Sequence, residues 1–194
     1  MLFRIIYIIF FCSMIISCRT EKKQKEEIND STIHKGLVVT DSIKTKESNV
    51  IIEKQTIIDF IKFYSNNYDS LYQEDFVKSD NKYYRIDFDN VNLFIQKISN
   101  TGFLSKKYIE KIKLKFKKID SLLTIEKQYD GVPEGLEYDF ILQTQEIDEV
   151  LDYAKQGDFE VLEYKNGCLV NFKYNIQNLY FEMKGTKINN ISIP

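Results

Sequence analysis

Between Tyr129 and Gly135 the hydrophobic pattern of this chain changes its period, and that change constrains the fold more than any other feature. The stretch Tyr129-Asp130-Gly131-Val132-Pro133-Glu134-Gly135 holds two glycines and a proline, which forbid regular structure there. Ahead of it, apolar residues recur every three or four positions. Behind it, they recur every second position. Helices first and an antiparallel meander last make an α+β domain, in which the sheet buries one face against the helices.

The helical half reads as three segments. Ile57, Ile61, Tyr64, Tyr68 and Leu71 form one stripe, widened by Phe60 and Phe63, on a helix of about six turns from near Ile52 to near Gln73. Tyr83 to Phe88 alternates as a short strand or extended connection. Asp89 is then placed to cap a short helix through Val91, Phe94, Ile95 and Ile98, which Asn100-Thr101-Gly102 ends. Ser105 opens a longer helix with Ile109, Ile112, Phe116, Ile119 and Leu123 on one side. The other side carries Lys106, Lys107, Lys111, Lys113, Lys117 and Lys118, diluted by Glu110 and Asp120, and reads as a solvated face.

Past the break, Phe159 and Val161 share a strand face, and Lys165-Asn166-Gly167 signals a hairpin, because Asn-Gly tolerates the positive φ angles of a type I′ turn. Cys168, Val170, Phe172 and Tyr174 alternate in the next strand. Leu179, Phe181 and Met183 do so in a third, and after Gly185-Thr186 the chain has a last strand from Ile188 to Ile193. Cys168 opens an apolar row, which predicts a packed, inert thiol.

The N-terminus carries a different kind of information. Arg4 precedes the apolar run Ile5-Ile6-Tyr7-Ile8-Ile9-Phe10-Phe11, and Ile15-Ile16-Ser17-Cys18 places a small residue directly before a cysteine. Charge, run length and box follow the order of a bacterial lipoprotein leader, and the run is shorter than the ~20 residues of a membrane span. The expectation is cleavage before Cys18, diacylation of its thiol, and attachment of the mature chain to a membrane. Residues 1–17 are then the signal peptide, 18–50 a lipidated cysteine and flexible tether, and 51–194 a single α+β domain. Arg19 stands where an Asp argues for inner-membrane retention, so outer-membrane delivery, on the periplasmic or the surface side, is expected. The mixed-charge run Glu21 to Glu27 serves as a spacer or a surface-export signal. From Asn29 to Asn49 no period is sustained, which reads as linker and leaves His34 in it.

A formal charge of -2 gives no electrostatic pull toward nucleic acid. Cys12 leaves with the leader and lipid consumes Cys18. Cys168 alone makes no internal disulfide, and with His34 it makes no ordinary zinc site, so neither a metal nor a cofactor is expected. No Gly-x-Ser-x-Gly elbow and no phosphate-cradling glycine loop occurs. The acid pairs Asp87/Asp89 and Glu134/Glu137 suit a glycosidase only if a groove fixes their separation.

Tyr138-Asp139-Phe140-Ile141-Leu142-Gln143-Thr144-Gln145-Glu146, with Phe60, Tyr64 and Tyr68 ahead of it, resembles a family of small secreted or lipid-anchored bacterial domains of unknown function. That family has the cone-shaped fold of nuclear transport factor 2. Its motifs are a Phe/Tyr-x-x-Tyr pattern and an "Asp-Pro-Phe-Leu-x-Ala-Gln-Asp"-like segment. Phe140 stands here for the proline and Thr144 for the alanine, and the final strand lacks the family's frequent tryptophan. The resemblance covers about residues 52 to 193. It implies a curved sheet whose concave side holds ligands, with Asp139, Gln143, Gln145, Tyr64 and Tyr68 as the ligand-binding set.

Two functions of different class follow. One is a non-enzymatic envelope lipoprotein that binds a protein partner or a small ligand, immunity proteins against an incoming toxin included. The other is an isomerase- or dehydratase-like enzyme with Asp139 as a general base of raised pKa in a pocket. A structural alternative makes Asp139 and Gln145 caps of local backbone. The enzyme reading requires Asp139 in a closed-off concave pocket of several hundred Å³ with Tyr or Gln side chains converging on the same space, and an exposed Asp139 removes it.

Overall fold

The computed structural model describes residues 37–194 other than 74, 81 and 176, with side chains from residue 48 onward apart from that of residue 175. The leader, Cys18 and His34 lie outside the described residues. The order of elements is α1 (Leu37–Leu71), β1 (Val77–Asp80), β2 (Tyr83–Ile86), α2 (Phe88–Asn100), α3 (Lys106–Ile125), α4 (Ile147–Gln156), β3 (Phe159–Tyr164), β4 (Gly167–Phe172), β5 (Asn178–Lys184) and β6 (Lys187–Ser192). The class is α+β, as the change of period predicts.

Helix α1 begins at Leu37, well before the Ile52 that the stripe suggested, so its first turns occupy part of the expected tether. Neither glycine nor proline occurs between Leu37 and Leu71, so nothing in the backbone stops the helix where burial stops. Ile51 and Ile52 are exposed, and burial sets in at Ile57, Phe60, Ile61 and Tyr64. The apolar stripe thus marks where α1 packs, not where it starts.

β1 and β2 form a separate antiparallel hairpin, of which the sequence announced only the second strand. Arg85 fixes it to α3, donating from Nε and Nη2 to the two carboxylate oxygens of Asp120 at 2.9 and 2.8 Å, while the Ile86 N–H donates to Asp120 Oδ1 at 3.1 Å. The cap of α2 is Asp87, not Asp89. Its Oδ1 accepts from the N–H groups of Asp89 and Asn90, and Asp89 sits inside the first turn, where its charge still favours the helix N-terminus.

Ser105 caps α3 as expected, accepting from the Tyr108 N–H at 3.1 Å, and its hydroxyl also donates to Asn189 Oδ1 at 3.2 Å. The Ser105 N–H donates to the Ile188 carbonyl and the Ile188 N–H to that of Phe103. The start of α3 is therefore sewn to β6. Helix α4 was not anticipated, although Ile147, Val150, Leu151 and Ala154 have the spacing of an amphipathic turn pair; the last three are buried, and Gly157 at φ +76° closes the helix.

β3-β4-β5-β6 is an antiparallel meander in that spatial order. Cys168, Val170, Phe172, Leu179, Phe181, Ile188 and Ile191 form its buried row. Two local expectations need correction. Tyr174 does not continue the β4 row: the strand ends at Phe172, and Tyr174 lies in a turn at φ +64°, 77% exposed. The β3–β4 turn is Lys165-Asn166, since Tyr164 pairs with Gly167. Gly167 is thus inside the sheet, where an added Cβ would stand 2.1 Å from the Phe181 carbonyl oxygen. Close approach of backbone, not turn geometry, requires glycine there.

Between α1, α2 and α3 lies a cluster of aromatic rings. Phe116 and Phe140 stack at 4.1 Å, and Phe76 meets Phe94, Phe116 and Phe140 edge-on at 5.2, 5.0 and 5.7 Å. Phe140 brings the 139–144 loop into this cluster, and so positions the candidate site.

Candidate functional site

Asp139 is buried beneath α1. Its Oδ1 accepts from the backbone N–H groups of Ile141, at 3.0 Å, and Leu142. Its Oδ2 accepts from the hydroxyls of Tyr64, at 2.6 Å, and Tyr72, at 2.8 Å, and these two hydroxyl oxygens are 2.9 Å apart. The loop closes on itself, with the Asp139 N–H donating to the Thr144 carbonyl and the Gln143 N–H to that of Asp139. A carboxylate offers about four lone-pair positions. All four are taken by the protein's own donors.

The electrostatics follow from this burial. Desolvation raises the Asp139 pKa, opposed by the hydrogen bonds from Tyr64, Leu142, Tyr72 and Ile141. Burial first, and then the charge of Asp139, push the Tyr64, Tyr68 and Tyr72 hydroxyls above the ordinary phenol range. The three oxygens Tyr64 Oη, Tyr72 Oη and Asp139 Oδ2 share two hydroxyl protons when the acid is ionised.

Of the residues named from the sequence, Asp139, Tyr64, Tyr68 and Gln143 are brought together and Gln145 is not. Tyr68 is half-buried, edge-on to Tyr64 at 5.7 Å and stacked on Tyr72 at 4.5 Å. Gln143 adopts φ +58°, and its Nε2 donates to the Tyr108 hydroxyl at 2.9 Å and to the Ile191 carbonyl. Tyr108 in turn donates to the Ile141 carbonyl at 2.6 Å. Gln145 is exposed, because the loop turns at Gln143 and the buried position beyond it is taken by Thr144.

Tyr72 was missed. It continues the Tyr64–Tyr68 spacing by one more interval of four, but the residue lies one place past the last residue of α1, where periodicity loses its meaning. Lys115 was missed as well, because it sits among lysines that read as a solvated face.

Two clefts flank the Asp139 loop. One, of about 250 Å³, is lined by Tyr68, Tyr72, Phe76, Leu136, Tyr138 and Ile147 among others. The larger, of about 430 Å³, lies between α3 and the 134–143 loop, with Lys115, Lys118, Ile119, Leu122, Glu134 and Gln143 among its lining, and Asp139 lines both clefts. Among the described residues no group of acidic, histidine and cysteine side chains suits a metal ion, and no helix is long and apolar enough to cross a membrane. No family model, no curated protein and no solved structure matches this chain.

Proposed function

We propose that this protein is an envelope lipoprotein, held at the outer membrane by a diacylated Cys18, whose α+β domain acts as a non-enzymatic binding module for a protein or small ligand. The finer form of the fold in this reading is the cone of nuclear transport factor 2. Its support is the order of four packing helices before a four-stranded meander, together with the buried Asp139 segment that carries the family resemblance.

One observation carries the choice of binding over catalysis. Asp139 is the carboxylate on which the enzyme reading depends, and its oxygens accept four hydrogen bonds from Tyr64, Tyr72, Ile141 and Leu142. A general base needs a lone pair free to reach a substrate proton. An acid so enclosed works as a clamp between α1 and the 139–144 loop.

The test of the anchor is metabolic labelling with palmitate in wild type and Cys18→Ala, followed by membrane fractionation and external protease digestion. Label on the wild type alone, in the outer-membrane fraction, is the expected outcome. A soluble unlabelled wild type ends this reading. Detergent extraction and co-purification then identify the partner, an immunity function being indicated by capture of a toxin.

A further inference from the structure

The cleft between α3 and the 134–143 loop has the composition of a ligand site. Ile119, Leu122 and Phe140 supply apolar wall, and Tyr138, 48% exposed, adds an aromatic side chain to its lining. Lys115 and Lys118 supply the positive charge. Neither lysine makes a hydrogen bond or an ion pair with a described residue, whereas Lys113 pairs with Glu110, Lys173 with Asp158 and Arg85 with Asp120.

Lys115 is half-buried. Burial, then the neighbouring charge of Lys111, lowers its pKa, while Asp139 raises it. A partly desolvated ammonium without a counter-charge is a cost that an incoming anion removes. The Asp139 carboxylate does not serve as that counter-charge by contact, since its oxygens are filled by Tyr64, Tyr72 and two backbone N–H groups. Gln143 uses its Nε2 on Tyr108 and Ile191, and no described residue donates to its amide oxygen. Glu134 and Asp139 also line the cleft, and acids there disfavour a multiply charged ligand.

We propose that this cleft binds a small organic monoanion with an apolar body, such as an aromatic or aliphatic monocarboxylate, its charge on Lys115 and its body against Ile119, Leu122 and Phe140. A volume of about 430 Å³ falls in the range of small-ligand sites. This deepens the binding-module reading by naming its site and ligand class, and it is independent of acylation.

The test uses the full chain carrying Cys18→Ser, titrated with 3-phenylpropionate and, separately, with neutral 3-phenylpropan-1-ol, followed by ligand-observed saturation-transfer NMR. The acid binds saturably and the alcohol at least about tenfold more weakly, the loss of one charge-assisted contact. Lys115→Gln weakens the acid about tenfold and leaves the alcohol unchanged, Lys115→Arg restores most of the affinity, and Lys107→Gln on the same helix has no effect. Near-UV circular dichroism confirms that each variant is folded. Equal binding of acid and alcohol, an unaffected Lys115→Gln, or no saturable binding at about 10 mM acid overturns the proposal. None of these results touches palmitate labelling, so failure of the cleft and failure of the anchor are told apart.

Discussion

The Tyr64 hydroxyl donates to the Asp139 carboxylate at 2.6 Å across 75 residues of sequence, and joins the C-terminal part of α1 to a loop that follows three helices. Tyr72 makes the second such bond to the same oxygen. The pair holds the 139–144 loop in place. That loop in turn presents Phe140 to the aromatic cluster and Gln143 to the last strand.

Tyr64→Phe and Tyr72→Phe each remove one donor from a buried acid, and each is expected to cost about 1.5–3 kcal/mol. The double variant costs less than the sum, since the two hydroxyls contact one another as well as the acid. Urea unfolding of the two single variants and the double measures this. Additive losses would show that the hydroxyls act independently.

Stability should depend on pH in opposite senses through two acids. Asp139 has a raised folded pKa, so its contribution is complete below the unfolded carboxyl range and is lost as pH rises through the folded value. Asp120 is held low, chiefly by the hydrogen bond from Arg85, so its contribution is present above the unfolded range and is lost as pH falls through the depressed value. Melting temperatures from about pH 2 to 8 should show a shallower acid limb in Asp120→Asn. Asp139→Asn should instead lose the decline on the rising side. Identical profiles for both variants contradict the assignment.

Gly167→Ala forces a methyl group against the Phe181 carbonyl oxygen and parts β4 from β5, at an expected cost of about 1–3 kcal/mol or more. Gly185→Asn is the control. That position has φ +61° and open space around it, which asparagine tolerates at under about 1 kcal/mol. Thermal melts of the two variants decide, and a Gly167→Ala as stable as Gly185→Asn refutes the close approach.

Cys168 is fully buried, and burial pushes its thiol up to about 11. At about pH 8 iodoacetamide should leave it unmodified in the native domain and alkylate it after urea denaturation. Mass spectrometry of the peptide containing Cys168 reads the difference. Rapid native alkylation would mean that β4 opens far more readily than its packing implies.

Much of this architecture is legible in the chain, because local periodicity is a consequence of one-sided burial. Ile109, Ile112, Phe116, Ile119 and Leu123 could only be one face of a helix, and Val170, Phe172, Leu179 and Phe181 one face of a sheet; all nine are buried. The Ser105 cap was legible for the same reason, as its partner is three residues away. Tertiary structure alone decided the rest. That Asp139 meets Tyr64 and Tyr72, that Gln143 faces inward while Gln145 faces water, and that Lys115 differs from its neighbouring lysines all depend on how α1, α3 and the 139–144 loop pack. Burial on one face leaves a period in the sequence, but a contact between distant side chains leaves none, because its geometry is set only when separate elements come together.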